Sequence, residues 1–156
     1  MFRVLTSDYA RYLITLIRSS KSSIDVLSYI FNCNLYKKAD KANLIFLELK
    51  KFVTRGKKIR VVFDYPRLHK PNYNPVKFFT RRFKEAGFDV RYLHSSTTQH
   101  AKLLIFDDKL ALSGSHNLTT RSVVSPHDIS LLFDDPRLLT FLVSYYNSVW
   151  ESSIEA

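Results

Sequence analysis

The stretch from His100 to Asp107 reads His-Ala-Lys-Leu-Leu-Ile-Phe-Asp, and residues 113 to 117 continue Ser-Gly-Ser-His-Asn. The apolar run predicts a strand from Lys102 to Phe106. His100 and Lys102 are two residues apart, so on an extended chain their side chains point to the same face. One pocket can therefore hold an imidazole and an ammonium group together.

The elements on either side of this stretch alternate between helix and strand. Helices are predicted over Ser7–Ser20, Ala42–Thr54, Val76–Ala86 and Pro136–Trp150, and strands over Ser23–Ile30, Ile59–Phe63, Phe88–Leu93, Lys102–Phe106, Leu110–Ser113 and Ile129–Phe133. Gly56 and Gly87 are expected to end the second and third helices. The pattern predicts an α/β fold, a mixed β-sheet sandwiched by helices.

Composition limits what kind of protein this can be. With 156 residues and 46% hydrophobic content, we expect one domain spanning residues 1–156. Cys33 is the one cysteine, which excludes an intramolecular disulfide and fits a reducing compartment. No stretch reaches the roughly 18 apolar residues of a membrane span, and nothing resembles a signal peptide. A cytoplasmic protein without a transmembrane segment is the expectation.

The formal net charge of +10 predicts a polyanionic partner. The basic residues are clustered: Lys37, Lys38 and Lys41; then Lys50, Lys51, Arg55, Lys57, Lys58 and Arg60; then Lys77, Arg81, Arg82 and Lys84. Such clusters can follow a nucleic-acid backbone or bind the headgroups of an anionic membrane. Each cluster taken alone is equally compatible with a solvated helix face.

Two loops are candidates for ligand contact. Tyr65–Pro75 contains three prolines and follows a strand, at the edge where open α/β sheets bind ligands. Arg67, His69, Lys70 and Tyr73 are its candidate substrate-binding residues, although the loop can equally be an ordinary surface connection. In the second loop, Ser115–Pro126, the preceding Gly114 is expected to let the backbone approach a ligand.

The motif contains the side chains that are required for nucleophilic attack on a phosphodiester. The reaction needs a nucleophile, a positive charge near the non-bridging oxygens and a proton for the leaving alkoxide. His100 and Lys102 can supply the first two. Ser115 and Asn117 alternate to a common side and offer hydrogen bonds to the same phosphate. Because no histidine has metal-ligand spacing to a cysteine or a second histidine, we expect no metal and no other cofactor.

These residues resemble the phospholipase D superfamily. His100-Ala-Lys102 with Asp107 fits its H-x-K-x4-D motif, and Gly114-Ser115-His116-Asn117 fits the G-S-x-N that follows it. The resemblance extends from about residue 7 to residue 150 and implies a phospholipase D-like fold. A match to both motifs in register is more specific than a match to either one.

The resemblance also implies roles for individual residues. A carboxylate after the G-S-x-N loop orients the histidine in this family, and here Asp128 is the candidate, in His127-Asp128 where the family commonly has Asn-Glu. Asp107 lies five residues beyond Lys102, on the opposite face of a regular strand, and both this spacing and the resemblance indicate a structural role. The remaining histidines considered are expected on the surface or in loops: His69, His94 and His116.

A single motif implies a homodimer. Family members use two such motifs, one histidine forming a phosphohistidine and the other protonating the leaving group. The resemblance therefore implies a metal-independent phosphodiesterase with a homodimeric site. The basic charge and the absence of a membrane anchor favour an endonuclease acting on DNA or RNA. A cardiolipin-type phospholipid phosphodiesterase and a noncatalytic nucleic-acid-binding dimer stay open as alternatives.

Overall fold

The main sheet contains eight strands, and three neighbouring strands in it are parallel. In the computed structural model, which describes residues Met1 to Ala156, the elements are β1 (Phe2–Leu5), α1 (Tyr9–Ser19), β2 (Ser23–Ser28), β3 (Phe31–Asn32), α2 (Lys41–Thr54), β4 (Lys58–Asp64), α3 (Tyr73–Glu85), β5 (Asp89–Leu93), β6 (Leu103–Phe106), β7 (Leu110–Gly114), β8 (Leu118–Thr119), β9 (Ser130–Phe133), α4 (Pro136–Ser152) and β10 (Ile154–Glu155). The order across the sheet is β1-β9-β7-β6-β2-β4-β5-β10, with β2, β4 and β5 parallel. The predicted mixed α/β fold is confirmed.

The helices begin and end where local chemistry dictates. Asp40 caps α2 by accepting hydrogen bonds from the backbone N–H groups of Ala42 and Asn43, at 2.9 and 3.2 Å. Helices α2 and α3 end before Gly56 and Gly87, whose φ values of 77° and 88° favour glycine. None of the four helices combines the length and the apolar composition of a membrane span.

The two faces of the sheet are covered unequally. Helices α1, α2 and α3 pack on one face of the sheet, where the core contains 27 buried residues. Helix α4 packs alone on the other face, where the core contains 8 buried residues. On the α4 face, Val4 is paired with Leu131 and Phe2 with Phe133 in the outer strands β1 and β9. The side chains of Phe2, Val4 and Leu131 stay 68%, 54% and 36% exposed. The α4 face therefore has an uncovered apolar region at this end of the sheet.

All ten predicted helices and strands are present, with ends within three residues of the prediction. The largest shift is at α3, which begins at Tyr73 although Pro75 follows two residues later. Proline is tolerated there because the first turn of a helix has no internal partner for its N–H groups. The loop 115–126 was expected to be irregular, but it contains β8 and a short 3₁₀ helix, Ser122–Val124.

Asp107 joins the β6–β7 turn to the start of β2. Its carboxylate accepts hydrogen bonds from the backbone N–H groups of Lys21, Ser22 and Ser23, at 2.7, 2.7 and 3.0 Å. Burial by itself raises the pKa of Asp107, but the backbone hydrogen bonds outweigh burial and lower it. These hydrogen bonds join two segments of the backbone, and they support the prediction that Asp107 has a structural role.

We predict that Asp107→Asn lowers the free energy of unfolding by about 1–2 kcal/mol at pH 7, because a neutral amide accepts these hydrogen bonds less strongly. Asparagine also tolerates the positive φ of 54° at this position. A lowered pKa stabilises the fold above the unfolded-state value of about 4 and loses that contribution as the pH falls below it. Urea unfolding from pH 3 to pH 7 should show the difference shrinking in acid; a pH-independent difference would contradict this origin.

Candidate active site

The candidate site lies at one edge of the sheet, where β2 and β4 end and β6 begins. Because β6 is antiparallel to β2, the residues that precede β6 lie beside those that follow β2. His100 and Lys102 precede β6, Tyr29 follows β2, and Asp64 is the last residue of β4. The fold thus gathers residues from three segments that are far apart in the sequence.

His100 and Lys102 are in direct contact. The Nζ of Lys102 lies 3.1 Å from Nδ1 of His100 and donates to the carbonyl oxygen of His100 at 2.5 Å. His100 is exposed, whereas Lys102 is only 7% exposed. Burial lowers the pKa of Lys102, and the charge of Asp128 acts in the opposite direction. The two residues form a pair on one side of the chain, as their spacing predicts.

Tyr29 contacts both members of the pair. Its ring centroid lies 5.1 Å from that of His100 at an angle of 52°, and the Nζ of Lys102 lies 5.8 Å from the same ring. Burial, with the charge of Asp64, raises the pKa of the Tyr29 hydroxyl. The sequence reasoning did not identify Tyr29, although its position directly after a buried strand at the ligand-binding edge was a usable signal.

A second group of side chains surrounds Asp128. Its two carboxylate oxygens accept hydrogen bonds from the hydroxyls of Ser115 and Ser122, at 2.8 and 2.9 Å. The same serine, Ser122, accepts from the backbone N–H of Asn117 at 2.8 Å. Burial acts to raise the pKa of Asp128, and the serine hydrogen bonds bring it below its usual value. The sequence reasoning missed Ser122.

The structure separates the predicted site into two linked groups. The Ser113 hydroxyl and the Gly114 N–H both donate to the backbone carbonyl of Lys102, at 3.0 and 3.3 Å, which joins the His100 pair to the loop that contains Ser115. The hydrogen bonds of Asp128 reach serines and do not reach His100 of the same chain. An orienting role for Asp128 on His100 therefore stays a prediction.

Gly114 and His116 both take part in packing within the protein. A Cβ on Gly114 would collide with the backbone of Ile129 and Ser130, so this glycine permits close packing of chain segments, as expected for a structural residue of the motif, and approach of a ligand there stays a prediction. His116 was expected on the surface or in a loop but is 1% exposed. Its ring stacks on Tyr9, with Nδ1 2.8 Å from the Ser130 hydroxyl, and burial lowers its pKa.

Asp64 connects the candidate rim loop to the segment that bears His100. This carboxylate is 2% exposed and accepts hydrogen bonds from the backbone N–H of Gln99 at 2.8 Å and from the Asn72 amide at 3.2 Å. Arg67 forms an ion pair with it at 3.2 Å. Because Gln99 precedes His100 directly, Asp64 fixes the backbone beside the imidazole. Sequence reasoning missed Asp64, although a carboxylate ending a buried strand was the available signal.

The four candidate substrate-binding residues occupy different environments. Arg67 is held by Asp64 and by the backbone carbonyl of Ser95. His69 and Lys70 are exposed, and His69 has a positive φ of 67°. Tyr73 begins α3, where the ammonium of Lys77 lies 5.1 Å from its ring. The loop thus offers two exposed groups from His69 and Lys70, while Arg67 fixes its path.

The arrangement combines a solvent-accessible imidazole with a partly desolvated cation. An ammonium in a site of low dielectric constant interacts more strongly with an anionic phosphate than one in water. Because His100 and Lys102 are in contact, the site can place a nucleophilic nitrogen and a positive charge against the same phosphate. No group of three or more histidine, cysteine, aspartate or glutamate side chains converges in the chain.

Sequence comparison defines the class of protein. The family described as "Cardiolipin synthase, PLD-like domain" matches residues 13–150. The chain therefore belongs to the phospholipase D-like family. The resemblance inferred from the two motifs is confirmed.

Individual relatives are distant in sequence but similar in structure. NucT from Helicobacter pylori superposes with a TM-score of 0.79 at 20% identity, covering 100% of this chain and 99% of that one. Nuc from Salmonella typhimurium, a phospholipase D family member, gives 0.78 at 17% identity and covers 100% and 97%. The mitochondrial cardiolipin hydrolases of Chlamydomonas reinhardtii and Xenopus tropicalis are 26% identical over 97 residues and 24% identical over 147. These alignments include 62% and 93% of this chain. They span only 41% and 62% of the lengths of the two relatives.

We predict that Asp64→Ala lowers kcat for a simple phosphodiester such as bis(p-nitrophenyl) phosphate by roughly 10²-fold, because a shift of about 1 Å in a reacting group has an effect of this size. KM should change less, since Asp64 faces the protein interior. Asp64→Asn, which keeps an acceptor for the Gln99 N–H, should retain more activity.

The matched control is Asp89→Ala. Asp89 is exposed and begins β5, at the end of that strand that lies away from the candidate site. All variants are assayed well below their melting temperatures, determined by circular dichroism. A purely structural role would leave the kcat of the folded Asp64→Ala variant unchanged, and that result would contradict positioning of His100.

Proposed function

We propose that this chain is a metal-independent endonuclease that cleaves DNA or RNA through a phosphohistidine on His100, in a site shared by two copies of the chain. The observation that supports this most strongly is the contact of 3.1 Å between the exposed imidazole and the buried ammonium of Lys102. It places a nucleophile and a charge-neutralising group on one side of the same pocket.

The proposed reaction has two displacement steps. In the first, a ring nitrogen of His100 attacks phosphorus, a P–N bond forms and the P–O bond to the leaving alkoxide breaks. The alkoxide takes a proton from the second imidazole. In the second step, that imidazole accepts a proton from water, the water oxygen bonds to phosphorus and the P–N bond breaks. The products are a free hydroxyl, a phosphomonoester and the regenerated imidazole.

Each polar residue has a proposed part in these steps. Lys102 neutralises the non-bridging oxygens, and an approaching phosphate raises the lysine pKa that burial lowers. Ser115 and Asn117 position the phosphate by hydrogen bonds. The amide N–H groups of Asn117 are the donors in this proposal, because a phosphodiester anion offers only acceptors. Asp128 orients an imidazole or, through Ser115, the phosphate.

The shared site explains both the single motif and the apolar surface. The reaction needs an attacking and a protonating imidazole, and the one buried histidine of this chain, His116, is fixed between Ser130 and Thr6. On the α4 side, Leu138, Phe141 and Tyr145 are 52%, 67% and 42% exposed at helical spacing. Phe2, Val4 and Leu131 are also exposed, and we expect pairing of two chains to cover exposed apolar side chains of this kind.

Charge favours nucleic acid as the substrate. A net charge of +10 attracts a polyanion over long distances, and the exposed His69 and Lys70 lie in the loop beside the site. The one alternative with a specific observation in its favour is a phospholipid phosphodiesterase. The name of the two mitochondrial relatives and the exposed Ile129, which follows Asp128 directly, favour it. A cytoplasmic location is part of the nuclease proposal.

The decisive assay offers single-stranded DNA, duplex DNA, RNA and cardiolipin vesicles, each with excess chelator. We predict nucleic-acid cleavage that resists the chelator and falls by roughly 10²- to 10⁴-fold or more in His100→Ala. The matched control is His94→Ala, because His94 is also exposed but its ring lies tilted against Tyr65, at 4.4 Å and 41°, instead of contacting Lys102.

Four results would contradict the proposal. Cleavage that requires a divalent ion, or that persists in His100→Ala, would exclude the phosphohistidine mechanism. Turnover of vesicles alone would establish the phospholipid alternative. Binding of nucleic acid without turnover of any substrate would establish a noncatalytic binding dimer.

A further inference from the structure

A groove lies next to the site, between the turn after β3 and the exposed side of α3. Its volume is about 430 Å³, and its lining includes Asn32, Leu35, Tyr36, Phe78 and Thr120. A smaller cavity of about 250 Å³ shares Asn32 and Thr120 with it and extends to Arg121. The larger volume falls within the ~300–1,000 Å³ of typical small-ligand pockets.

Two aromatic side chains in this groove are exposed to solvent. Tyr36 is 96% exposed and Phe78 is 39% exposed, so neither owes its position to complete burial in the core. The guanidinium groups of Arg81 and Arg82 lie 5.9 and 5.4 Å from the Phe78 ring centroid. Aromatic rings beside arginine are the arrangement on which unpaired nucleobases stack.

Positive charge surrounds the same groove. Lys37 and Lys38 follow Tyr36 directly and are exposed, as is Arg121 at the other end. None of these three takes part in an ion pair within the chain. The rest of the lining consists of two amides, one hydroxyl, one thiol and one leucine, so the rings lie beside hydrogen-bonding groups as well as apolar ones.

A short parallel sheet connects this groove to the candidate active site. In it β3 pairs with β8, with Asn32 opposite Thr119, and the Thr120 N–H donates to the Asn32 carbonyl at 3.1 Å. Asn32 is three residues beyond Tyr29, which contacts His100, and Thr120 is three residues beyond Asn117. Because an extended chain rises by about 3.3 Å per residue, the backbones of Asn32 and Thr120 lie at most about 10 Å from those of Tyr29 and Asn117.

We propose that this groove binds unpaired bases of a single-stranded nucleic acid whose scissile phosphate lies at His100. Tyr36 and Phe78 stack on bases, while Lys37, Lys38 and Arg121 contact the flanking phosphates. Paired bases in a duplex do not present their faces to these rings, so the groove selects single strands. The inference rests on the proposed nuclease function and names its substrate class.

Binding is measured by fluorescence anisotropy on the His100→Ala background, which prevents cleavage. The probes are a mixed-sequence single strand in DNA and RNA forms and a hairpin duplex of the same DNA sequence. Adding Tyr36→Ala should weaken single-strand binding about five- to a hundredfold, the range for loss of one stacked base. Tyr36→Phe keeps the ring and should stay within about twofold of the parent, and duplex binding should not change.

A second pair of variants tests the charge. Arg121→Ala should weaken single-strand binding more than Lys109→Ala, which removes another exposed positive charge, from the β6–β7 turn at the opposite edge of the sheet. Equal binding by Tyr36→Ala and Tyr36→Phe, an equal loss for duplex, or no single-strand binding at all would overturn the groove assignment. Chelator-resistant cleavage by the wild-type chain in those cases would leave the proposed function standing.

Discussion

The surrounding structure positions the contact between His100 and Lys102. For the proposed chemistry the ammonium of Lys102 must be buried, because burial strengthens the attraction between the ammonium and a phosphate, and the imidazole of His100 must remain exposed. Ser113 of β7 donates to the backbone carbonyl of Lys102, and Asp64 accepts from the backbone N–H of Gln99, the residue before the histidine. Since each neighbour fixes backbone rather than side-chain atoms, the pair is positioned before any ligand binds.

The sequence predicted the fold well because its signals are local. Apolar spacing, glycines after helices and the alternation of strand with helix identify the central elements. Two-residue strands such as β3 and β8 have no such signal, since they depend on partners almost ninety residues apart in sequence. The start of α3 was predicted too late because proline usually interrupts a helix. Pro75 lies in the first turn, where proline is tolerated.

The site was predicted in part for the same reason. His100 and Lys102 share a face because they are two residues apart on an extended chain, and this spacing can be read from the sequence. Asp64 and Tyr29 reach the site through the pairing of strands, which cannot be read from the sequence. His116 appeared to be an exposed loop residue because its burial depends on stacking with Tyr9, more than a hundred residues away. Residues that act through tertiary contacts were thus the ones missed.

The central claim is that one chain contains half of a site. It is tested most directly by analytical ultracentrifugation with parallel activity assays on the wild type, Phe141→Glu and Thr140→Glu, a control on another side of α4 that is also exposed. The wild type and the control should sediment as active dimers. Phe141→Glu should be a folded, inactive monomer, because a charge at a 67% exposed position disturbs pairing without disturbing the core. A folded monomer with full activity would contradict the claim.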